Sequence, residues 1–240
     1  MDKQQEIIFG IHPIIELLKA KRRKIYTIYT TKPEPRAWSQ IQKLLPKYVQ
    51  VEYISKEKLN KLADSVDHQS VVALASPFII RKKFFNPATE KFLVMLDSIQ
   101  DPRNLGAILR SAYCTGANGV IVTERNSSFL TATAIKSSAG LAEHLEIYFA
   151  PNAKVAADEL KKAGYSIFIS TLENSKSALD VDFNLPCCIV IGNEGEGVSS
   201  NIVRMGQSVK LPQITADISY NASVAAGILL FLISTKNKII

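Results

Sequence analysis

The sequence predicts an α/β protein whose larger, C-terminal part is a mostly parallel sheet with helices on both faces, preceded by a small α/β unit. Three observations predict this. From residue 92 onward, short apolar runs alternate with helical periodicity, the pattern of strands buried on both faces. The first 75 or so residues alternate in the same way with shorter, more polar segments. Between them, residues 77–91 hold Pro77, Pro87 and the run Arg81-Lys82-Lys83, break the periodicity, and read as a linker. The expected domains are therefore 1–76 and 92–240.

In the first domain, Ile11 to Ala20 has helical spacing with Pro13 near its start, and IYTIYT (25–30) alternates like a strand. A helix is expected over 37–45, a strand over VQVEYI (49–54), a Ser55-led helix through Ala63, and a strand at VVALA (71–75). In the second domain, strands are expected at FLVMLD (92–97), GVIV (119–122), LEIYF (145–149), YSIFIS (165–170), CCIVIG (187–192) and SVKLP (208–212). Helices are expected from Asn104, near 132–138, over 153–163, and from Asn221 to the end. No repeat or low-complexity tract interrupts the series.

Composition bounds the function. A chain of 240 residues with 47% hydrophobic and 21% charged residues is neither disordered nor a disulfide scaffold. Cys114, Cys187 and Cys188 form no C-x-x-C pair, and His12, His68 and His144 are scattered, so no metal site is expected. The N-terminus carries no signal-like apolar stretch, and the longest apolar run, Ala222 to Ile233, is too short to cross a bilayer. A soluble, cytoplasmic protein is expected. The excess charge is segregated: residues 1–90 hold 16 Lys and Arg against 9 Asp and Glu, whereas the rest hold 13 of each. A basic module beside a neutral domain suits a polyanion, since neutralising phosphates gives affinity without sequence readout. The candidates are Lys21, Arg22, Arg23, Arg81, Lys82 and Lys83, with Arg103 near the first loop described next. Trp38, Phe84 and Phe85 read first as core and second as base-stacking groups.

Ligands of parallel sheets sit beyond the carboxyl ends of the strands, and three loops there are chemically unusual. The first runs Asp97 to Ala112: Asn104 can cap the following helix, and Arg110 lies six residues on. An ordinary cap with a surface arginine is the plain alternative. The second, Gly192-Asn193-Glu194-Gly195-Glu196-Gly197, follows an apolar strand; its glycines expose bare backbone groups, but it is neither a dinucleotide fingerprint nor a P-loop. Its two acids would repel a pyrophosphate and suit a neutral or cationic ligand, or an arginine. A Gly-rich turn with solvated acids is the alternative. The third is Leu211-Pro212, then Ser219-Tyr220-Asn221-Ala222-Ser223-Val224-Ala225 opening a small, apolar helix.

Together these loops resemble the three motifs of the SpoU (TrmH-type) RNA ribose 2′-O-methyltransferases, N-x-G-a-x-x-R, G-x-E-x-x-G and a Pro-containing segment leading to S-x-N-x-S-x-A. Here they stand as Asn104–Arg110, Gly192–Gly197, and Leu211-Pro212 with Ser219–Ala225. The segments GIHPIIELL and HQSVVAL resemble the small ribosomal-protein-like substrate domain of the subgroup that methylates a guanosine of 23S rRNA. Tyr220 stands where the family usually has an aliphatic residue, and Gln213 where Met is common. The resemblance implies a deep trefoil knot formed around the second and third motifs, bound S-adenosyl-L-methionine, and a homodimer with its catalytic site near the subunit interface.

It also implies residue roles. Arg110 meets the 2′-oxygen or its phosphate, Asn104 positions it, Glu194 holds the guanidinium, and Ser219, Asn221 and Ser223 support the site. The cofactor is expected against Thr171, Leu172, Gly192, Asn193, Gly197, Leu211, Tyr220 and Ala225. The physical chemistry of a guanidinium, with a pKa above about 12, makes orientation of the nucleophile an easier task for Arg110 than proton abstraction. The expected substrate is structured RNA, large-subunit rRNA ahead of tRNA. A non-catalytic RNA-binding assembly factor is the reading from another class, and a nucleotide-dependent oxidoreductase fails on the missing phosphate fingerprint.

Overall fold

The computed structural model describes residues 5–172, 175–214 and 219–240. The chain forms two compact units, Met1–Ile79 with Leu130–His144, and Ile80–Phe129 with Leu145–Ile240.

The first unit contains β1 (Glu6–Phe9), α1 (Ile11–Ala20), β2 (Ile25–Thr30), α2 (Trp38–Leu44), β3 (Gln50–Tyr53), α3 (Lys56–Ala63) and β4 (Val71–Ala75). The sheet order is β1-β4-β2-β3, with β4 antiparallel to both neighbours and β2 parallel to β3. The helix α1 forms because its aliphatic residues fall on one face: Ile14, Ile15, Leu17 and Leu18 are buried. Each contributes about 1.5–3 kcal/mol of transfer free energy as an upper bound. The helix stops at Lys21, which turns left-handed and returns its N–H to Leu17 O. Ser55 caps α3 as expected, accepting from Lys58 N at 3.3 Å. The strand β1 was not expected, since EIIF neither alternates nor reaches the length of a clear strand signal.

The second unit begins with β5 (Phe92–Leu96), α4 (Pro102–Cys114) and β6 (Gly119–Thr123). The chain then forms α5 (Ala132–Ser137) and a 3₁₀ turn (Leu141–His144), which belong to the first unit. It rejoins the second unit with β7 (Ile147–Ala150), α6 (Ala153–Ala163), β8 (Ser166–Ser170), the two-residue β9 (Lys176–Ser177), β10 (Cys187–Ile191), α7 (Ser200–Val203), β11 (Gln207–Lys210) and α8 (Ala222–Lys236). The sheet is wholly parallel in the order β7-β6-β5-β10-β8-β11-β9. Every residue of β5, β6 and β10 is buried, as their apolar runs required. The strand β10 is thus inserted between β5 and β8, and the loops leaving β10 and β11 carry the second and third motifs.

Two stretches of the sequence expectation are corrected, 130–144 and 77–91, and with them the roles of Arg23 and Arg81. The segment 130–144 is held within the first unit by charge rather than forming part of the sheet domain. Arg23, expected to meet RNA, is buried and donates to Glu143 (2.9 Å), Glu6 (2.7 Å) and the Ser76 carbonyl. The Glu143 side chain is only 1% exposed, and burial pushes its carboxyl up while Arg23 pulls it down. Breaking such a buried pair by removing one partner costs about 3–5 kcal/mol, so Arg23 is a structural cation. Lys136 of α5 also donates to Gln69 (2.9 Å), whose Oε1 accepts from Ile11 N.

The expected linker, 77–91, is the second correction. From Ile80 it belongs to the second unit: Arg81 N donates to Ile147 O, and its guanidinium is bidentate on Glu90 (2.6 and 2.9 Å) with Glu146 at 3.6 Å. Phe85 is buried in the same core as Leu93, Met95 and Ile121. Arg81 is therefore spent on packing. The first reading of the aromatic residues holds: Trp38 and Phe85 are core residues and Phe84 packs against the Phe85 core, so none is a free stacking surface. Lys21, Lys82, Lys83 and Arg103 are exposed, and Arg22 is half-buried.

Candidate active site

The site is assembled where β5, β10 and β11 end. After β5, Asp97 is buried (1% exposed) and accepts from Ser199 N (2.8 Å) and from the Ser98 hydroxyl (3.2 Å). Ser98 takes a left-handed backbone (φ 60°), and its carbonyl accepts from Asn193 Nδ2 at 2.9 Å. Asp97 and Ser98 therefore hold both ends of the glycine loop. Within that loop, Asn193 and Gly197 exchange both backbone hydrogen bonds (3.1 and 2.9 Å), and Asn193 Oδ1 accepts from Gly195 N at 2.7 Å. Only glycine fits at 192, because a Cβ there would lie 2.2 Å from the Gly197 carbonyl carbon.

The start of α4 differs from expectation. Asp101 is the N-cap, accepting from Arg103 N at 2.7 Å, and Pro102 fills the first helical position. Asn104 is therefore the third helical residue, and its side chain is released for other work. Its Nδ2 donates to Glu194 Oε1, and its Oδ1 accepts from Asn221 Nδ2 at 3.3 Å. Asn221 caps α8: its Oδ1 accepts from Ser223 N (2.9 Å), Val224 N (3.4 Å) and the Ser223 hydroxyl (2.6 Å). One polar chain, Glu194–Asn104–Asn221–Ser223, thus joins the three motifs.

This chain lies beside a cleft of about 560 Å³. All eight residues expected to hold a cofactor line it: Thr171, Leu172, Gly192, Asn193, Gly197, Leu211, Tyr220 and Ala225. Glu194 and Ser219 line it too, as do Glu196 and Lys210, which the sequence reading did not assign. The walls combine bare backbone, aliphatic surface, two carboxylates and the single ammonium of Lys210, so negative charge is in excess. That donor set suits a ligand with an apolar body and a positive centre better than a polyphosphate.

Arg110 is not brought to this chain. Six residues beyond Asn104 is about 9 Å along the helix axis and about 120° off the face that carries Asn104, and its exposed guanidinium has no acceptor among the described residues. The expected grip of Glu194 on Arg110 is replaced by the bond to Asn104. Asp97 and Ser98 were missed as site residues; the available signal was an acid and a serine closing a wholly apolar strand. Burial raises the Cys187 thiol to about 12 and Cys188 well above its usual value, so neither is a nucleophile. Among the described residues no cluster could hold a metal ion.

Residues 91–231 match the model of the SpoU rRNA Methylase family, and residues 7–79 match the RNA 2′-O ribose methyltransferase substrate binding model. The chain belongs to the SpoU rRNA Methylase family. It is similar to YacO of Bacillus subtilis (strain 168), assigned to the TrmH family of tRNA/rRNA methyltransferases, with 29% identity over 99% of this chain and 98% of that protein. A relative of the same description from Staphylococcus haemolyticus (strain JCSC1435) is 35% identical over 78% of this chain and 77% of its own length. The fold is shared with a crystal structure of an RNA 2′-O ribose methyltransferase (TM-score 0.85, 21% identity, 99% and 90% of the two chains). It is also shared with an AdoMet-bound rRNA methyltransferase from Sinorhizobium meliloti (TM-score 0.78, 23% identity, 96% and 87%).

Proposed function

We propose that this chain transfers a methyl group from S-adenosyl-L-methionine to a ribose 2′-hydroxyl of structured RNA, with a guanosine of large-subunit rRNA as the favoured target. The observation that carries the reading is the Asn104 bridge between Glu194 and Asn221 beside the glycine-loop cleft. A mere RNA binder has no use for three polar groups converging there.

The cleft fits the cofactor: Gly192 leaves backbone uncovered, and Glu194 and Glu196 line it with negative charge suited to a sulfonium. When bound, the sulfonium supplies an already activated methyl donor, so the protein's tasks are alignment and management of one proton. Asn104 fixes Glu194 and Asn221 relative to each other. Arg110, a guanidinium without an acceptor among the described residues, binds the target phosphate and orients the 2′-oxygen. The exposed cations Lys21, Lys82, Lys83 and Arg103 supply sequence-independent affinity for RNA.

The working unit is a homodimer in this reading. Val224, Ile228 and Phe231, 41–59% exposed, form a stripe at helical spacing on α8, and α8 packs on α4, the helix that carries Arg110. A second copy seated on this stripe would cover the apolar surface. In this reading the protein works in the cytoplasm, and no helix among the described residues is long and apolar enough to cross a membrane.

The test is transfer of labelled methyl to unmodified large-subunit rRNA and, in parallel, to unmodified tRNA, followed by nuclease digestion. A 2′-O-methylguanosine from rRNA alone is expected. Methylation of tRNA alone would move the substrate, and transfer to neither RNA by a protein that binds the cofactor would sink the reading.

A further inference from the structure

Phe129 is the most exposed aromatic side chain described in the second unit, at 65%. It lies in the loop that follows β6, and that loop is anchored on the strand-end rim that carries the site. Ser128 N donates to Ile99 O at 2.7 Å, five residues before Asn104, and Ser98 N donates to Thr123 Oγ1 at 3.0 Å. Thr123 Oγ1 is in turn bonded to the Ser127 hydroxyl at 3.0 Å. Ser98 is the same residue whose carbonyl holds Asn193 of the glycine loop. A phenyl ring held out to solvent on so well tied a loop is not explained by the core.

Its surroundings carry the second observation. Arg125 in the same loop and Arg103 on the first turn of α4 are both exposed, and neither guanidinium has a carboxylate partner among the described residues. The nearby acids do not cancel them: Asp101 is occupied in capping α4, and Glu124 is the one further carboxylate of the loop. An exposed aromatic ring on a loop that also carries Arg125, tied through Ser128 to Ile99 just before the helix that carries Arg103, has the composition that takes an unstacked base with its phosphates, since every base offers a π-face and Arg pairs with phosphate bidentately.

We propose that Phe129 is the stacking platform for an unpaired RNA base beside the methylated nucleotide, with Arg103 and Arg125 holding the flanking phosphates. The proposal rests on the RNA-methylating reading and adds to it that the target is presented in an unpaired segment.

The experiment uses full-length protein with Phe129→Ala, Phe129→Trp and Arg125→Gln. RNA KM is measured at saturating cofactor, and the affinity for the same unmodified rRNA is measured without turnover. Phe129→Ala should raise the RNA KM and weaken RNA binding about tenfold, with cofactor affinity within about twofold of wild type; Phe129→Trp should restore both. Arg125→Gln should weaken binding and lower its salt slope by about one. Wild-type RNA affinity in Phe129→Ala would overturn the proposal while leaving the methylation reading intact. If the wild type methylates no RNA, that reading falls alone, and the binding measurements still decide on Phe129.

Discussion

The carboxamide of Asn104 donates to Glu194 and accepts from Asn221, so one side chain on α4 ties together the loop leaving β10 and the cap of α8. No other residue type of this size both donates and accepts in that way. Asn104→Ala removes both contacts, and Asn104→Asp sets a second carboxylate against Glu194, where like charges repel. Both variants should lose about 100-fold in kcat, the usual cost of one preorganised polar contact. Cofactor affinity should change by less than about threefold, because Asn104 does not line the cleft. Steady-state kinetics beside calorimetric titration of the cofactor separates these. Wild-type turnover in Asn104→Ala would remove the bridge from the mechanism.

Arg110 makes a different prediction because its guanidinium has no acceptor among the described residues. Its removal should leave the fold and the cofactor cleft untouched while turnover falls by at least about 100-fold. Arg110→Lys keeps the charge but loses the fork that binds phosphate bidentately, and should recover only part of the rate. Thermal melting, cofactor titration and single-turnover methyl transfer on the three proteins give the answer. An active Arg110→Ala enzyme would refute the assignment.

What was legible in the sequence follows from what short-range patterns encode. The strands β5, β6 and β10 announce themselves because burial on both faces demands unbroken apolar runs, and Ser55 and Asn221 announce helix starts because few residues cap well. The cleft residues follow from the resemblance of the three loops to the SpoU motifs, which periodicity alone does not supply. Asn104 was misplaced as a cap although Asp101-Pro102 carried the stronger signal, an acid directly before a proline in the first turn. Periodicity cannot say which body a helix packs against, so the assignment of 130–144 to the first unit was invisible. A basic cluster likewise does not reveal that Arg23 meets Glu143 120 residues away.

Asp97 gives a prediction the sequence did not offer. Its carboxylate is buried, holds Ser199 N and the Ser98 hydroxyl, and no cation partners it among the described residues. Hydrogen bonds to a charged group contribute about 1.5–3 kcal/mol each, so Asp97→Ala should cost about 3 kcal/mol and lower Tm by about 6–12 °C. Because both ends of the glycine loop relax, cofactor affinity should fall about tenfold. Asp97→Asn keeps the shape and one acceptor and should fall between. If Asp97→Ala melts early yet binds cofactor as tightly as wild type, the residue supports the fold without setting the loop.

The first unit should be acid-sensitive through His68. The ring is fully buried, with Nε2 2.7 Å from Asn60 Oδ1 and Nδ1 accepting from Ser70 N at 3.0 Å. These partners assign the neutral tautomer with the proton on Nε2, and a proton on Nδ1 would break the Ser70 bond just before β4. Burial lowers the His68 pKa below its ordinary 6.5, Lys56 and Lys136 push the same way, and Asp67 opposes them. With the folded pKa depressed, the unfolded chain binds more protons below about pH 6.5. The contribution is therefore whole above that pH and is lost as pH falls toward the folded value, at up to about 1.4 kcal/mol per pH unit. Tm measured from pH 7.5 to 5.5 should fall more steeply for wild type than for His68→Asn, which keeps an acceptor but does not titrate. Every other ionisable group is common to both proteins and cancels in the difference. Parallel curves would show that His68 is not the acid-sensitive group.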